Sequence, residues 1–253
     1  MKLKFILTAL FSSALLQTYA QQAAPDQIET KKGPLLIQPI SHASLVLTWD
    51  GKTIYVDPTG GAAAYTGIAK PDLILITDIH GDHMDPKTLD AIETDGAVMV
   101  VPQAVADQLP AEYKNQVVVL ANGKSATQLG IPVSAIPMYN LPEAQDAMHP
   151  KGRGNGYLLD LGGKRIYIAG DTEGTSEMRS LKNIDVAFVP MNLPYTMDVE
   201  QAADAVLEFK PKIVYPYHYR GQSGLSDVAA FKKQVNDKNK SIDVRLKSWY
   251  PEK

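Results

Sequence analysis

The sequence predicts one α/β domain assembled from two pseudo-symmetric halves, each a sheet covered by helices. Three observations carry this: a hairpin that recurs later in the chain, strand-like runs that end in His and Asp, and amphipathic stretches between strands. The first hairpin is Leu45-Val46-Leu47-Thr48-Trp49, a turn at Asp50-Gly51, then Lys52-Thr53-Ile54-Tyr55-Val56. The second is Tyr157-Leu158-Leu159-Asp160-Leu161, a turn at Gly162-Gly163, then Lys164-Arg165-Ile166-Tyr167-Ile168. Alternating apolar runs about such dipeptides signal a hairpin, because the tight turn needs residues that tolerate positive φ. Both return strands read Gly-Lys-x-Ile-Tyr, from Gly51 and Gly163, and each leads to an aspartate, Asp57 or Asp171. The apolar runs 71–77 and 184–190 then follow their hairpins at similar distances. Pieces that match in the same order point to an internal duplication.

Helical patterns fill the gaps. Residues 198–209 place Val199, Ala202, Ala203, Val206 and Phe209 on one face, with Asp198 as N-cap. Residues 226–235 repeat the pattern, with Ser226 as the expected cap. Pro86 opens a third helix behind Asp85, since proline suits a first helical turn. Two long connections, 137–156 and 58–70, are expected to cover a site, because long loops inside compact domains are usually functional.

Composition bounds the function. A chain of 253 residues that is 45% hydrophobic can bury a substantial core. The net charge of −3 and the lack of a basic run exclude a nucleic-acid footprint. Lys2 and Lys4 precede an apolar run over 5–16, and Thr18-Tyr19-Ala20 supplies small residues at the expected cleavage positions. That pattern is a secretory signal, too short to span a bilayer. Cleavage after Ala20 removes two lysines, leaving 23 positive against 28 negative charges, or −5. The expected organisation is a signal peptide over 1–20, a flexible lead-in over 21–34 and a single domain over 35–253, periplasmic or secreted, with no integral membrane segment after cleavage. No cysteine occurs, so a metal must be held by nitrogen and oxygen ligands.

The densest chemistry lies in Thr77-Asp78-Ile79-His80-Gly81-Asp82-His83, directly after the strand-like run 71–76. Neutral imidazoles plus anionic carboxylates are the donor set of a divalent transition metal. The chain holds five histidines, His42, His80, His83, His149 and His218, and none falls in an expected helix. Four of them with Asp78, Asp82 and Asp171 make seven donors, enough for two ions with one carboxylate bridging.

These motifs resemble the metallo-β-lactamase fold superfamily, within it the branch of L-ascorbate-6-phosphate lactonase-like and N-acyl-phosphatidylethanolamine phospholipase-D-like hydrolases. The likeness runs from Ile40-Ser41-His42-Ala43-Ser44 to Tyr217-His218. The family pattern H-x-H-x-D-H stands here as Asp78-x-His80-x-Asp82-His83, followed by His149, Gly170-Asp171-Thr172 and His218. The resemblance implies a four-layer αββα sandwich and one or two divalent ions (Zn, Mn or Fe). One site would use Asp78, His80 and His149, the other Asp82, His83 and His218, with Asp171 between them. The first family histidine is an aspartate here, which makes its site more anionic and suits Mn or Fe better than three imidazoles would.

The expected activity is hydrolysis of a small ester, lactone or phosphodiester by a metal-activated water, with a small molecule as the partner. Asp82 would orient the water or take its proton, and His42 would donate to a developing charge or a leaving group. Asp57 is a candidate to support a ligand. Lys151 and Arg153 are candidates for a substrate anion, and Tyr195 and Tyr139 for the pocket wall. A true β-lactamase is disfavoured by the altered first histidine. The alternatives are a di-iron oxidoreductase and a metal-binding relative without catalysis.

Overall fold

The computed structural model describes residues 24–250. The expected signal segment, 1–20, lies outside them. In the N-terminal half, strands β1 (Asp26–Thr30), β2 (Gly33–Ser41), β3 (Ser44–Trp49), β4 (Lys52–Val56), β5 (Leu73–Leu75), β6 (Val98–Val101) and β7 (Val117–Val119) form one sheet in chain order. The second sheet uses β8 (Ser125–Gln128), β9 (Ile131–Met138), β10 (Gly154–Leu161), β11 (Lys164–Ile168), β12 (Val186–Pro190) and β13 (Ile213–Tyr217). A small ribbon, β14 (Arg220–Gly221) with β15 (Gly224–Leu225), precedes the last strand of that sheet, β16 (Asp243–Val244).

The two sheets are topological copies. In each, the first four strands pair antiparallel and the rest parallel, so β3 and β4 correspond to β10 and β11. The recurring hairpin was a sound sign of duplication. Asp50 and Gly51 sit at φ 50° and 69°, Gly162 and Gly163 at 62° and 81°, the positive values a two-residue hairpin turn requires.

Strand alternation explains the layering. Leu45, Leu47, Ile54, Val56, Leu73 and Leu75 join the core shared with the second sheet. Their neighbours Val46, Tyr55 and Ile74 face a separate core with Leu89 and Val105, from helices α1 (Pro86–Ala91) and α2 (Gln103–Ala106). On the far side, beyond the short α3 (Ser176–Arg179), helices α4 (Val199–Phe209) and α5 (Val228–Lys238) bury Val206, Phe209, Phe231 and Val235. The result is the expected αββα sandwich. Among the described residues no helix is long and apolar enough to cross a membrane.

Helix caps agree with the sequence except at one place. Asp198 accepts from the backbone of Gln201 and Asp85 from that of Lys87, but α5 is capped by Asp227, not Ser226, through the Ala230 amide. The lead-in expected to be loose over 21–34 is structured from Asp26 onward, as β1 pairing with β2 from Asp26↔Ile37 to Thr30↔Gly33. Only Ile28 of that strand is buried, so edge pairing orders it without an apolar run to announce it.

Trp249 ties the sheets together near the C-terminus. Its ring is fully buried against Phe188 and Tyr217, and its Nε1–H donates to the Ser44 carbonyl at 3.1 Å. Trp249→Ala is expected to cost about 3–5 kcal/mol, the range for truncating a buried large aromatic. Denaturant unfolding of both proteins checks it.

Candidate metal centre

Every candidate ligand lies at one rim of the sandwich, where strands end. His42 follows β2, Asp57 follows β4, Asp78 to His83 follow β5, His149 lies in the connection before β10, Asp171 follows β11 and His218 follows β13. Such carboxyl-end rims are where α/β sheets gather their loops. Three of the eight non-glycine residues with positive φ among the described residues sit here: His42 (49°), Asp57 (44°) and His218 (45°). Left-handed backbone costs β-substituted residues energy, and its clustering at a site marks a geometry held by its surroundings. The His218 amide donates to the His42 carbonyl at 3.1 Å, which ties the two sheets' rims together.

Asp171 is the meeting point. Gly170, at φ 67°, turns the chain sharply, and its amide donates to the Tyr217 hydroxyl at 2.8 Å. Beyond it, Asp171 Oδ2 lies 3.3 Å from His83 Nε2 and 3.3 Å from His149 Nε2, and Oδ1 lies 3.4 Å from His218 Nε2. His218 Nε2 is also 3.3 Å from Asp82 Oδ2. Asp171, His83, His149 and His218 are all buried.

The outer faces of the imidazoles are held in place. His83 Nδ1 lies 2.9 Å from Asp57 Oδ2, and the same carboxylate accepts from the Thr77 amide at 2.7 Å and hydroxyl at 2.6 Å. Asp57 is fully buried: burial pushes its carboxyl up, and these donors oppose that shift. His149 Nδ1 lies 3.1 Å from Asn140 Oδ1, which also accepts from the His149 amide at 2.8 Å. With Nδ1–H donated outward, both rings present Nε2 to the centre, the tautomer a metal ligand uses.

The inward atoms are left without partners. His83 Nε2, His149 Nε2 and Asp171 Oδ1 are buried and make no hydrogen bond among the described residues. Such groups are costly unless something satisfies them. The field says what. Burial alone would lower the His83 pKa, but Asp171 and Asp57 on either side raise it well above the usual imidazole value. Burial likewise pushes the Asp171 and Asp82 carboxyls up, yet the neighbouring imidazoles His218 and His83 hold both below the usual range. The pocket stabilises positive charge at its centre. Among the described residues, side chains of the right chemistry lie together in three groups: Asp78 with His80 and His149, His83 with Asp171 and His218, and His42 with Asp82 and His218. This donor set fits divalent cations.

A cavity of about 370 Å³ opens over the centre, lined by His42, His80, Asp82, Asp171 and Tyr195 and also by Asn192 and Arg220. Tyr195 is thus where the sequence expectation put it. Lys151 and Arg153 are not. Lys151 pairs with Glu177 at 3.0 Å and Glu143 at 3.4 Å and lies over the Tyr139 ring, outside the cavity wall. The Tyr139 hydroxyl is turned away as well, donating to Glu177 at 2.8 Å. Arg153 grips Asp78 with two hydrogen bonds. The unpaired cation of the cavity is instead Arg220, on the ribbon strand β14, stacked 4.6 Å over Tyr250 and without an ion pair among the described residues.

Residues 36–218 match the family model described as Beta-lactamase superfamily domain, and the chain belongs to that superfamily. A UPF0173 metal-dependent hydrolase of Pyrococcus abyssi is 32% identical over 81% of this chain and 94% of its own length. A crystal structure of a candidate metal-dependent hydrolase from Parabacteroides distasonis is similar at TM-score 0.80 and 43% identity, covering 89% of this chain and 98% of that one. Igni18, a metallo hydrolase of Ignicoccus hospitalis, is similar at TM-score 0.70 and 26% identity, covering 84% and 94% respectively. The expected superfamily and sandwich are therefore present.

Asp57→Asn is expected to leave the fold in place and weaken metal affinity about 10–100-fold, the usual effect of losing a ligand's hydrogen-bond partner. Competition with a chelator of known affinity checks it.

Proposed function

We propose that the protein is an exported metal-dependent hydrolase that uses a metal-activated water on a small ester, lactone or phosphodiester. One observation carries the reading: buried, unpartnered imidazole nitrogens converge on one buried aspartate beneath an open cavity. Kinship with proteins named as metal-dependent hydrolases supports it. The N-terminal signal pattern supports export.

Asp82, His83, His218 and Asp171 would hold one cation, and Asp78, His80 and His149 are the donors beside it. Bound there, a divalent ion polarises a carbonyl or phosphoryl oxygen and lowers the pKa of water. The chain's own residues supply the rest. Asp82 is the most exposed carboxylate of the centre, and its lowered pKa keeps it ionised at neutral pH, so it can accept a hydrogen bond from a water and aim it. His42 lines the same cavity. Burial, and then the nearby His218, lower its pKa, so it stands as a neutral imidazole able to donate one hydrogen bond to charge developing on the substrate. Arg220 replaces Lys151 and Arg153 as the group suited to a substrate anion, since it lines the cavity and no carboxylate pairs with it among the described residues.

The test is hydrolysis of small p-nitrophenyl esters and of bis-p-nitrophenyl phosphate, with and without prior chelation. Activity lost on chelation and restored by Mn²⁺, Zn²⁺ or Fe²⁺ is expected; activity indifferent to chelation contradicts the reading. Arg220→Met is expected to raise KM for a carboxylate-bearing ester about tenfold, the loss of one charged hydrogen bond. A matched neutral ester should change less than twofold.

A further inference from the structure

Asp78 is where this chain departs from the three-histidine pattern, and the structure gives that departure a partner. Arg153 Nε–H donates to Asp78 Oδ1 at 3.1 Å and Nη2–H to Oδ2 at 2.9 Å, a two-pronged pairing with a fully buried carboxylate. His80 Nδ1 lies 2.9 Å from the same Oδ2, and Arg153 Nη2 reaches to 3.5 Å from His80 Nε2. Both oxygens of Asp78 are therefore engaged within the protein.

The pairing is built into the backbone. The Asn155 amide donates to the Thr77 carbonyl at 2.9 Å, so the backbone two residues beyond Arg153 is bonded to the residue just before Asp78. Between them, Gly154 is pressed so close to Thr77 that an added Cβ would lie 2.9 Å from its carbonyl oxygen. Arg153 is held beside Asp78 by this seam and is not a long side chain that happens to reach. The neighbouring group is different: the unpartnered buried atoms His83 Nε2 and Asp171 Oδ1 belong to it, against His149 Nε2 alone in the Asp78 group, and no guanidinium is bonded to it among the described residues.

We infer that Arg153 supplies, as a fixed guanidinium, the positive charge that a second cation would bring to Asp78, so that the centre binds one metal ion tightly, at His83, Asp171 and His218 with Asp82. A cation at Asp78, His80 and His149 would have to share a buried carboxylate whose two oxygens already accept from a guanidinium. It must then stay beside a group that cannot lose its proton. Neither cost arises at the other group. Asp78 and Arg153 act as a unit, since a neutral histidine at position 78 would leave the guanidinium without its counter-charge.

The inference rests on the metal reading above, and metal counting tests both separately. Chelator-stripped protein is reloaded with excess Mn²⁺, desalted and assayed by elemental analysis, with paramagnetic resonance reporting whether the ions are isolated or coupled. Wild type should keep about one ion with an uncoupled signal, and Arg153→Met about two with a coupled one. The double variant Asp78→His with Arg153→Met leaves no buried unpaired carboxylate and should also keep two, which guards against misfolding of the single variant. Two tight ions in wild type, or one in a natively folded double variant, overturn the inference while the metal reading stands. No ion in any of them sinks the metal reading itself.

Discussion

The rim of this sandwich depends on one buried carboxylate facing three imidazoles. Asp171 lies within 3.4 Å of a ring nitrogen from His83, His149 and His218, and those rings come from three separate connections. Each ring is aimed from behind or anchored through its backbone: His83 by Asp57, His149 by Asn140, His218 by the His42 carbonyl. Left dry and unpaired, such a cluster would be a standing cost to the fold. A cation would remove that cost, since buried carboxylates and outward-donating imidazoles are the natural cage for one.

The duplicated sheets explain how one cage draws on distant parts of the chain. Each half turns from antiparallel to parallel pairing after its hairpin, at β4 and at β11, and delivers an aspartate at that point. The two aspartates have diverged: Asp57 sits behind His83 as its hydrogen-bond acceptor, whereas Asp171 stands at the centre. Equivalent positions thus yield a supporting residue in one half and a ligand candidate in the other.

Much of this was legible in the sequence because the signals were local. Turn dipeptides, period-two strands and a dense His/Asp motif depend on neighbours along the chain, and they placed the hairpins and the halves and pointed to the His and Asp residues that gather at one rim. What was missed depended on pairing across the fold. Arg153 and Asp78 are 75 positions apart, so nothing near Arg153 says that its charge is already spent. Lys151 is likewise consumed by Glu177 and Glu143. Arg220 sits on a ribbon of two-residue strands with no periodicity to mark it, and Asn192 is one polar residue after a strand. The lead-in read as loose because β1 buries a single apolar side chain and owes its order to β2.

The most direct test of the cage is the metal content of protein purified without chelator, beside an Asp171→Ala variant. Wild type is expected to carry Mn, Fe or Zn in at least stoichiometric amount, with the variant folded but depleted of it. A wild type that carries no metal and takes none up on reconstitution would contradict the account, and the convergence of imidazoles on Asp171 would then need another cause.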